Sequence, residues 1–185
     1  MPNVLVPLAQ GCEELEAVTI IDLLRRAGIT VVTAGLDENP VKSSRGVVFI
    51  PDTTLDKAIQ QDFDMIVLPG GLPGADNLNN DPRIHQLLQK MQQPGKYTAA
   101  ICAAPKILAQ AGLLANKSAT SYPGVLENLN IPQLQFIAAP VVKDGGVITS
   151  RGPGTAIDFA LELIATLVGN NIRDQVEAAL VRSEK

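Results

Sequence analysis

The sequence contains no tryptophan, one histidine (His85) and two cysteines, and aromatic side chains make up only 3% of it. Each scarcity excludes something. One histidine, with no Cys/His spacing around it, leaves no ligand set for a structural zinc, so no metal is expected. Two cysteines in 185 residues do not make a disulfide framework and suit a reducing compartment, so the expected location is the cytoplasm. No apolar run approaches the roughly 18–20 residues of a membrane-spanning helix. The opening Met-Pro-Asn-Val-Leu-Val lacks a basic leader and reads as a strand rather than a signal peptide. Basic charge is not in excess either. Fifteen Lys and Arg against 19 Asp and Glu leave a net charge of −4, which speaks against a dedicated nucleic-acid surface.

What is present is a globular composition. Hydrophobic residues at 46% and charged residues at 18% can bury a core and exclude a disordered chain. At roughly 100–200 residues per domain, residues 1–185 form one domain. Short continuous apolar runs alternate with helical patterns. Strands are expected at Asn3–Ala9, Ile29–Gly35, Asp64–Leu68 and Tyr97–Ile101, one or two more between Val141 and Thr149, and a hairpin over Lys42–Ile50. Helices are expected at Glu13–Ala27, Asp81–Gln92, Ala104–Ala111, Thr155–Val168 and Asn171–Leu180. Continuous rather than alternating apolar strands predict an α/β fold, a mostly parallel sheet with helices on both faces. Ligands of such sheets bind at the carboxyl ends of the strands, here Gln10–Glu13, Pro69–Gly71, Cys102 and Ser150–Thr155.

The chemically unusual residues fall at those ends. Cys102 passes from a strand into a helix with almost no loop, among small neighbours (Ala99, Ala100, Ala103, Ala104) that allow a tight elbow. A thiol at a helix N-terminus is expected to titrate below the free value of about 8.5; an inert buried cysteine is the alternative. On the first helix, Ala17, Ile20, Leu24 and Ala27 mark the buried stripe, and Glu13 and Glu16 lie at its N-terminal end. Either carboxyl, turned into an apolar crevice, would have a raised pKa and could stay protonated, and periodicity does not choose between them. Gly70, Gly71 and the Ala103 N–H could form an oxyanion hole. Ser150–Thr155, opening the next helix, could be an anion site, with Arg45 and Arg151 as candidate anion contacts. His85 sits mid-helix, away from any strand end, so a cysteine hydrolase lacks its base. Cys12 reads as a small packing residue or as a resolving thiol for Cys102.

Four stretches together resemble the ThiJ/PfpI superfamily, and within it the DJ-one branch: Gly11-Cys12-Glu13-Glu14-Leu15-Glu16-Ala17, Leu68-Pro69-Gly70-Gly71, Ala99–Pro105 around Cys102, and Thr149–Thr155. They occur in order over essentially the whole chain. The resemblance implies a flavodoxin-like sandwich and a homodimer. It implies Cys102 as reactive nucleophile, Glu16 rather than Glu13 as its protonated partner, and Gly71 and Ala103 as backbone donors. It also implies a cofactor-free glyoxalase or deglycase acting on methylglyoxal, glyoxal or glycated groups, or else a redox sensor or chaperone read out by oxidation of the same cysteine. The chain departs from the branch at Tyr122, where relatives carry a histidine before the proline, and at Ala103, where protease-type members carry one after the cysteine. Leu15, Val18 and Asp22 form a second, partly apolar face on the first helix, which independently suggests association.

Overall fold

The computed structural model describes residues 1–182. In chain order the elements are β1 (Asn3–Leu8), α1 (Glu14–Arg26), β2 (Thr30–Gly35), β3 (Val41–Lys42), β4 (Val48–Phe49), β5 (Thr53–Thr54), α2 (Leu55–Ala58), β6 (Met65–Leu68), α3 (Gly74–Asn79), α4 (Pro82–Lys90), β7 (Tyr97–Ile101), α5 (Pro105–Gln110), β8 (Ser118–Ala119), β9 (Gln135–Phe136), β10 (Val141–Asp144), β11 (Val147–Ser150), α6 (Ala156–Val168) and α7 (Asn170–Ala179). A 3₁₀ turn over Pro153–Thr155 leads into α6.

The main sheet runs β10-β11-β7-β6-β1-β2-β5. Every neighbouring pair in it is parallel except the edge hairpin β10–β11. The central strands are apolar on both faces because both faces are covered: all four residues of β6 are buried, as are Thr98–Ile101 of β7. α1, α6 and α7 pack together in one layer, and α3 packs on α4 and α5 in the other. The result is the flavodoxin-like α/β sandwich expected of alternating strands and helices.

Local chemistry accounts for the helix boundaries. Glu13 caps α1 by accepting the Glu16 N–H at 2.8 Å, and Gly28, at φ 74, ends the same helix in the left-handed conformation. Asp81 caps α4 at the Arg83 N–H, with Pro82 in the first turn. The hairpin expected over Lys42–Ile50 is β3 paired antiparallel with β4. The elements that patterning missed are short. α3 begins at Gly74 and carries two asparagines, which favour turns over helix, and β5, β8 and β9 have two residues each.

Candidate active site

The carboxyl ends of β7, β6 and β11 and the start of α1 converge on Cys102. Its backbone turns through φ 63, a left-handed conformation uncommon for a side chain other than glycine. Bonds on both sides hold it there: the Cys102 N–H donates to the Ser150 carbonyl at 3.0 Å, and the Cys102 carbonyl accepts the Tyr122 N–H at 2.9 Å. The helix beyond starts only at Pro105, so the thiol stands on a strained turn rather than on the first residue of a helix.

Glu13 and Glu16 have separate places. Glu13 is spent on the helix cap, whereas Glu16 points inward and is fully buried. Glu16 Oε2 accepts the Gly70 N–H at 2.8 Å, and Oε1 is buried without a hydrogen-bond partner. Gly70 packs against both Glu16 and Cys102 with no space to spare. A β-carbon on it would lie 2.7 Å from Cys102 Cβ and 2.8 Å from Glu16 Oε2, so no larger residue fits. Gly71 adopts φ 90, and a β-carbon there would meet the Glu13 nitrogen at 2.5 Å.

Burial pushes the Glu16 carboxyl up from 4.5 to about 7, against the pull of the Gly70 N–H and the neighbouring thiol. Burial also pushes the Cys102 thiol up, to about 12, and the Glu16 carboxylate adds to the rise; the Gly71 and Ala103 N–H groups pull it back. The expectation of a thiol below its free value is therefore corrected. Cys102 is only 9% exposed, its helix starts three residues later, and the group beside it is itself an acid. The thiol and carboxyl titrate as one unit that holds a single proton between about pH 7 and about pH 12.

The remaining candidates are less closely gathered. Tyr122 is half exposed, and its ring lies beside Gly152. Arg45 is exposed, with its N–H on the Glu14 carboxylate at 2.9 Å, and Arg151 is half-buried, with its N–H on the Pro140 carbonyl at 3.3 Å. Neither guanidinium has a hydrogen-bond partner among the described residues. The anion-site reading of Ser150–Thr155 is not supported. The Gly152 N–H goes to Thr155 Oγ1 at 3.1 Å and the Thr155 N–H to the Gly152 carbonyl at 2.9 Å, so the loop uses its own donors. Gly152 instead lines the site, a position that sequence reasoning placed only within a presumed anion loop. Cys12 is fully buried, its thiol is likewise pushed up to about 12, and both cysteines are free; the structure places it as a packing residue. His85 bonds the Asn79 carbonyl at 2.9 Å. Among the described residues no group of three or more His, Cys, Asp or Glu gathers as a metal site, and no helix is long and apolar enough to cross a membrane.

A strained, buried cysteine paired with a buried carboxyl, set at the strand ends of a flavodoxin-like sheet, defines a cysteine-centred α/β protein. The chain belongs to the DJ-1/PfpI family, whose pattern matches residues 2–166. It is similar to Protein DJ-1alpha of Drosophila melanogaster, with 44% identity over 99% of this chain and 85% of that protein. Glutathione-independent glyoxalase DJR-1.2 of Caenorhabditis elegans is 36% identical over 86% of this chain and 85% of its own length. The crystal structure of Drosophila melanogaster DJ-1beta superposes with a TM-score of 0.93 at 43% identity, covering 99% of both chains.

Proposed function

We propose that the protein is a glyoxalase that needs neither glutathione nor metal and converts small 2-oxoaldehydes to 2-hydroxy acids through Cys102. The observation that carries this reading is a fully buried Glu16 set beside a Cys102 thiol that the Gly71 and Ala103 N–H groups approach. The reactive form is thiolate beside carboxylic acid, reached when the Glu16 carboxylate takes the proton of the Cys102 thiol. The Gly71 and Ala103 N–H groups stabilise the negative charge that this transfer puts on sulfur. The relative named as a glutathione-independent glyoxalase supports the substrate class.

The chemistry balances with water as the only co-reactant. The Cys102 thiolate adds to the aldehyde carbon of methylglyoxal, and the new oxyanion is held by the Gly71 and Ala103 N–H groups while Glu16 delivers its proton to it. Glu16, now a carboxylate, removes the hydrogen of the former aldehyde carbon as a proton and returns it to the neighbouring carbon. The hydroxyl proton of the first carbon passes by way of Glu16 to the oxygen of the second, so the first carbon is oxidised to a thioester and the second reduced to an alcohol. Water then cleaves the thioester, releasing lactate and the thiol; glyoxal gives glycolate by the same path. A protein amine already carrying the aldehyde as an aminocarbinol would leave as free amine when the thiolate displaces it, giving the deglycase form of the reaction.

The test is a product assay on protein freed of metal and glutathione. Lactate formed from methylglyoxal supports the reading. No lactate, with Cys102 gaining two oxygens under mild peroxide, would replace the enzyme with a redox sensor read out by the same residue. The proton transfer has its own test: the rate of Cys102 alkylation should rise with a midpoint near pH 7, as Glu16 ionises and becomes able to take the thiol proton. A rate that stays flat until strongly alkaline pH would mean that Glu16 does not activate the thiol.

We further propose a homodimer formed through α1 and the β3–β4 hairpin. Leu15 and Val18 on α1 and Val48 and Ile50 on the hairpin are exposed apolar side chains, and Val18, Ile21, Phe49 and Ile50 line one continuous groove. A second copy would cover that face. Light scattering should give twice the chain mass, and a monomer at micromolar concentration would contradict it.

A further inference from the structure

We propose that Gly152 and Tyr122 determine specificity: the slot between the Tyr122 ring and the Cys102 sulfur, kept open by the missing side chain of Gly152, selects substrates carrying a methyl-sized apolar group beside the attacked carbonyl. The inference rests on the reaction proposed above and concerns which oxoaldehydes that site accepts. A β-carbon on Gly152 would lie 3.4 and 3.9 Å from two ring carbons of Tyr122 and 4.0 Å from Cys102 Sγ. The space it would fill therefore lies between the nucleophile and an aromatic wall.

Backbone geometry does not require glycine at this position. Gly152 has φ 167 and ψ −167, extended values open to any residue, and no backbone atom crowds its β-position. This contrasts with Gly71, whose φ of 90 suits glycine, and with Gly70, whose β-position is crowded by the backbone carbonyl of Ile101 as well as by the reacting groups. What glycine provides at 152 is empty space against the sulfur.

The backbone on both sides of the slot is held in place. Thr155 holds the Gly152 backbone from two sides, accepting its N–H through Oγ1 and donating its own N–H to the Gly152 carbonyl. The Tyr122 backbone is tied to the Cys102 carbonyl through its N–H, and its own carbonyl accepts from Ser121 Oγ and the Val125 N–H. Its ring is 52% exposed, so it serves as a wall without being part of the core. When the sulfur attacks the aldehyde carbon of a 2-oxoaldehyde, the substituent on the adjacent carbonyl stands two bonds further out, at the range of the Gly152 β-position. A methyl group there packs against the tyrosine ring; the hydrogen of glyoxal leaves the contact unmade. A single methyl in an apolar pocket changes specificity by about tenfold or more.

The experiment compares methylglyoxal with glyoxal, and chloroacetone with chloroacetaldehyde, on wild type, Gly152→Ala and Tyr122→Ala. The chloro compounds alkylate Cys102 irreversibly and differ by the same methyl-for-hydrogen exchange, so they read the slot without any turnover. Wild type should favour methylglyoxal over glyoxal in kcat/KM by about tenfold. Gly152→Ala should abolish most of that preference and slow chloroacetone far more than chloroacetaldehyde. Tyr122→Ala, at a half-exposed position that leaves the core intact, should reduce both preferences several-fold. Equal effects of either variant on the methyl and hydrogen compounds would overturn the inference while leaving the reaction standing. Selective slowing of chloroacetone in a protein that turns over neither dicarbonyl would retain the slot and overturn the reaction.

Discussion

The two ends of the parallel strands differ sharply. At the amino ends of β7 and β11 a cleft of about 620 Å³ opens between the Met91–Thr98 segment, Leu113, Lys117 and the Gly145–Gly146 turn. Its two lysines pair with surface carboxylates, Lys96 with Asp64 at 3.2 Å and Lys117 with Asp144 at 3.3 Å. At the carboxyl ends of β7 and β6 a left-handed cysteine, a fully buried acid and glycines packed at contact distance come together. The amino end carries solvated ion pairs that hold their carboxylates low, and the carboxyl end carries the strain and the thiol and acid that burial pushes up. Backbone donors and desolvation converge at the carboxyl ends, where the strands point, and that convergence rather than the volume of a cleft marks the candidate site.

The contrast breaks first under substitution of the pair itself. Cys102→Ser or Glu16→Gln should each lower lactate formation by about a thousandfold or more, because nucleophile and proton carrier act as a unit. The double variant should be little worse than either single one. Product assays in which all of these proteins match wild type would remove Cys102 from the reaction.

Gly70→Ala comes next. Its new methyl would overlap Cys102 Cβ and Glu16 Oε2, so relief requires moving the acid or the thiol. The expected outcome is a loss of activity of about a hundredfold and of about 1–3 kcal/mol in stability, the usual cost of overpacking. Denaturant melts and initial rates would check both; an unperturbed variant would mean that the contact is looser than the geometry states.

A smaller effect separates stability from activity at the same residue. The unfolded chain ionises Glu16 near its ordinary value of 4.5, while the native protein keeps the proton up to about 7. The native state thus binds more protons in that window, and stability falls as pH rises through it, by about 3 kcal/mol in total. Glu16→Gln removes the ionisable group and should be more stable than wild type at pH 8, by up to that amount, with the advantage vanishing below about pH 4. Melts of the two proteins across pH would show the convergence; a constant offset would place the pKa of Glu16 elsewhere.

The smallest effect belongs to the opposite end. Lys117→Ala breaks a partly exposed ion pair and should cost less than about 1 kcal/mol, with catalytic rates unchanged. A large change in rate would mean that the cleft and the cysteine communicate.

Much of the frame was legible in the sequence because apolar periodicity and capping chemistry act over a few residues. The runs at Asn3, Thr30, Met65 and Tyr97 became the central parallel strands, and Gly28 and Pro82 marked helix boundaries where expected. The resemblance carried by the motifs around Cys102 agrees with the family of the chain. The stretch from Gly112 to Pro140 was opaque. It holds two two-residue strands and long turns, and local patterning has nothing periodic to read there. Yet that stretch delivers Tyr122 to the carbonyl of Cys102.

Which residues could react was written in the chain: a cysteine at the end of one apolar strand, acids at the start of the amphipathic helix that follows another, glycines after a third strand. Local sequence physics could not decide between Glu13 and Glu16, because both lie on the same helical stripe; the choice was made by the Gly70 N–H, which takes the Glu16 carboxylate, and by the helix N-terminus, which takes that of Glu13. Nor could it set the direction of the Cys102 titration, since a helix N-terminus lowers a thiol while burial beside an acid raises it, and only the packed arrangement says which is greater. Gly152 shows the same limit. Its value lies in an empty volume bounded by residues 50 and 30 positions away in sequence, and a volume of that kind exists only once the chain has closed around it.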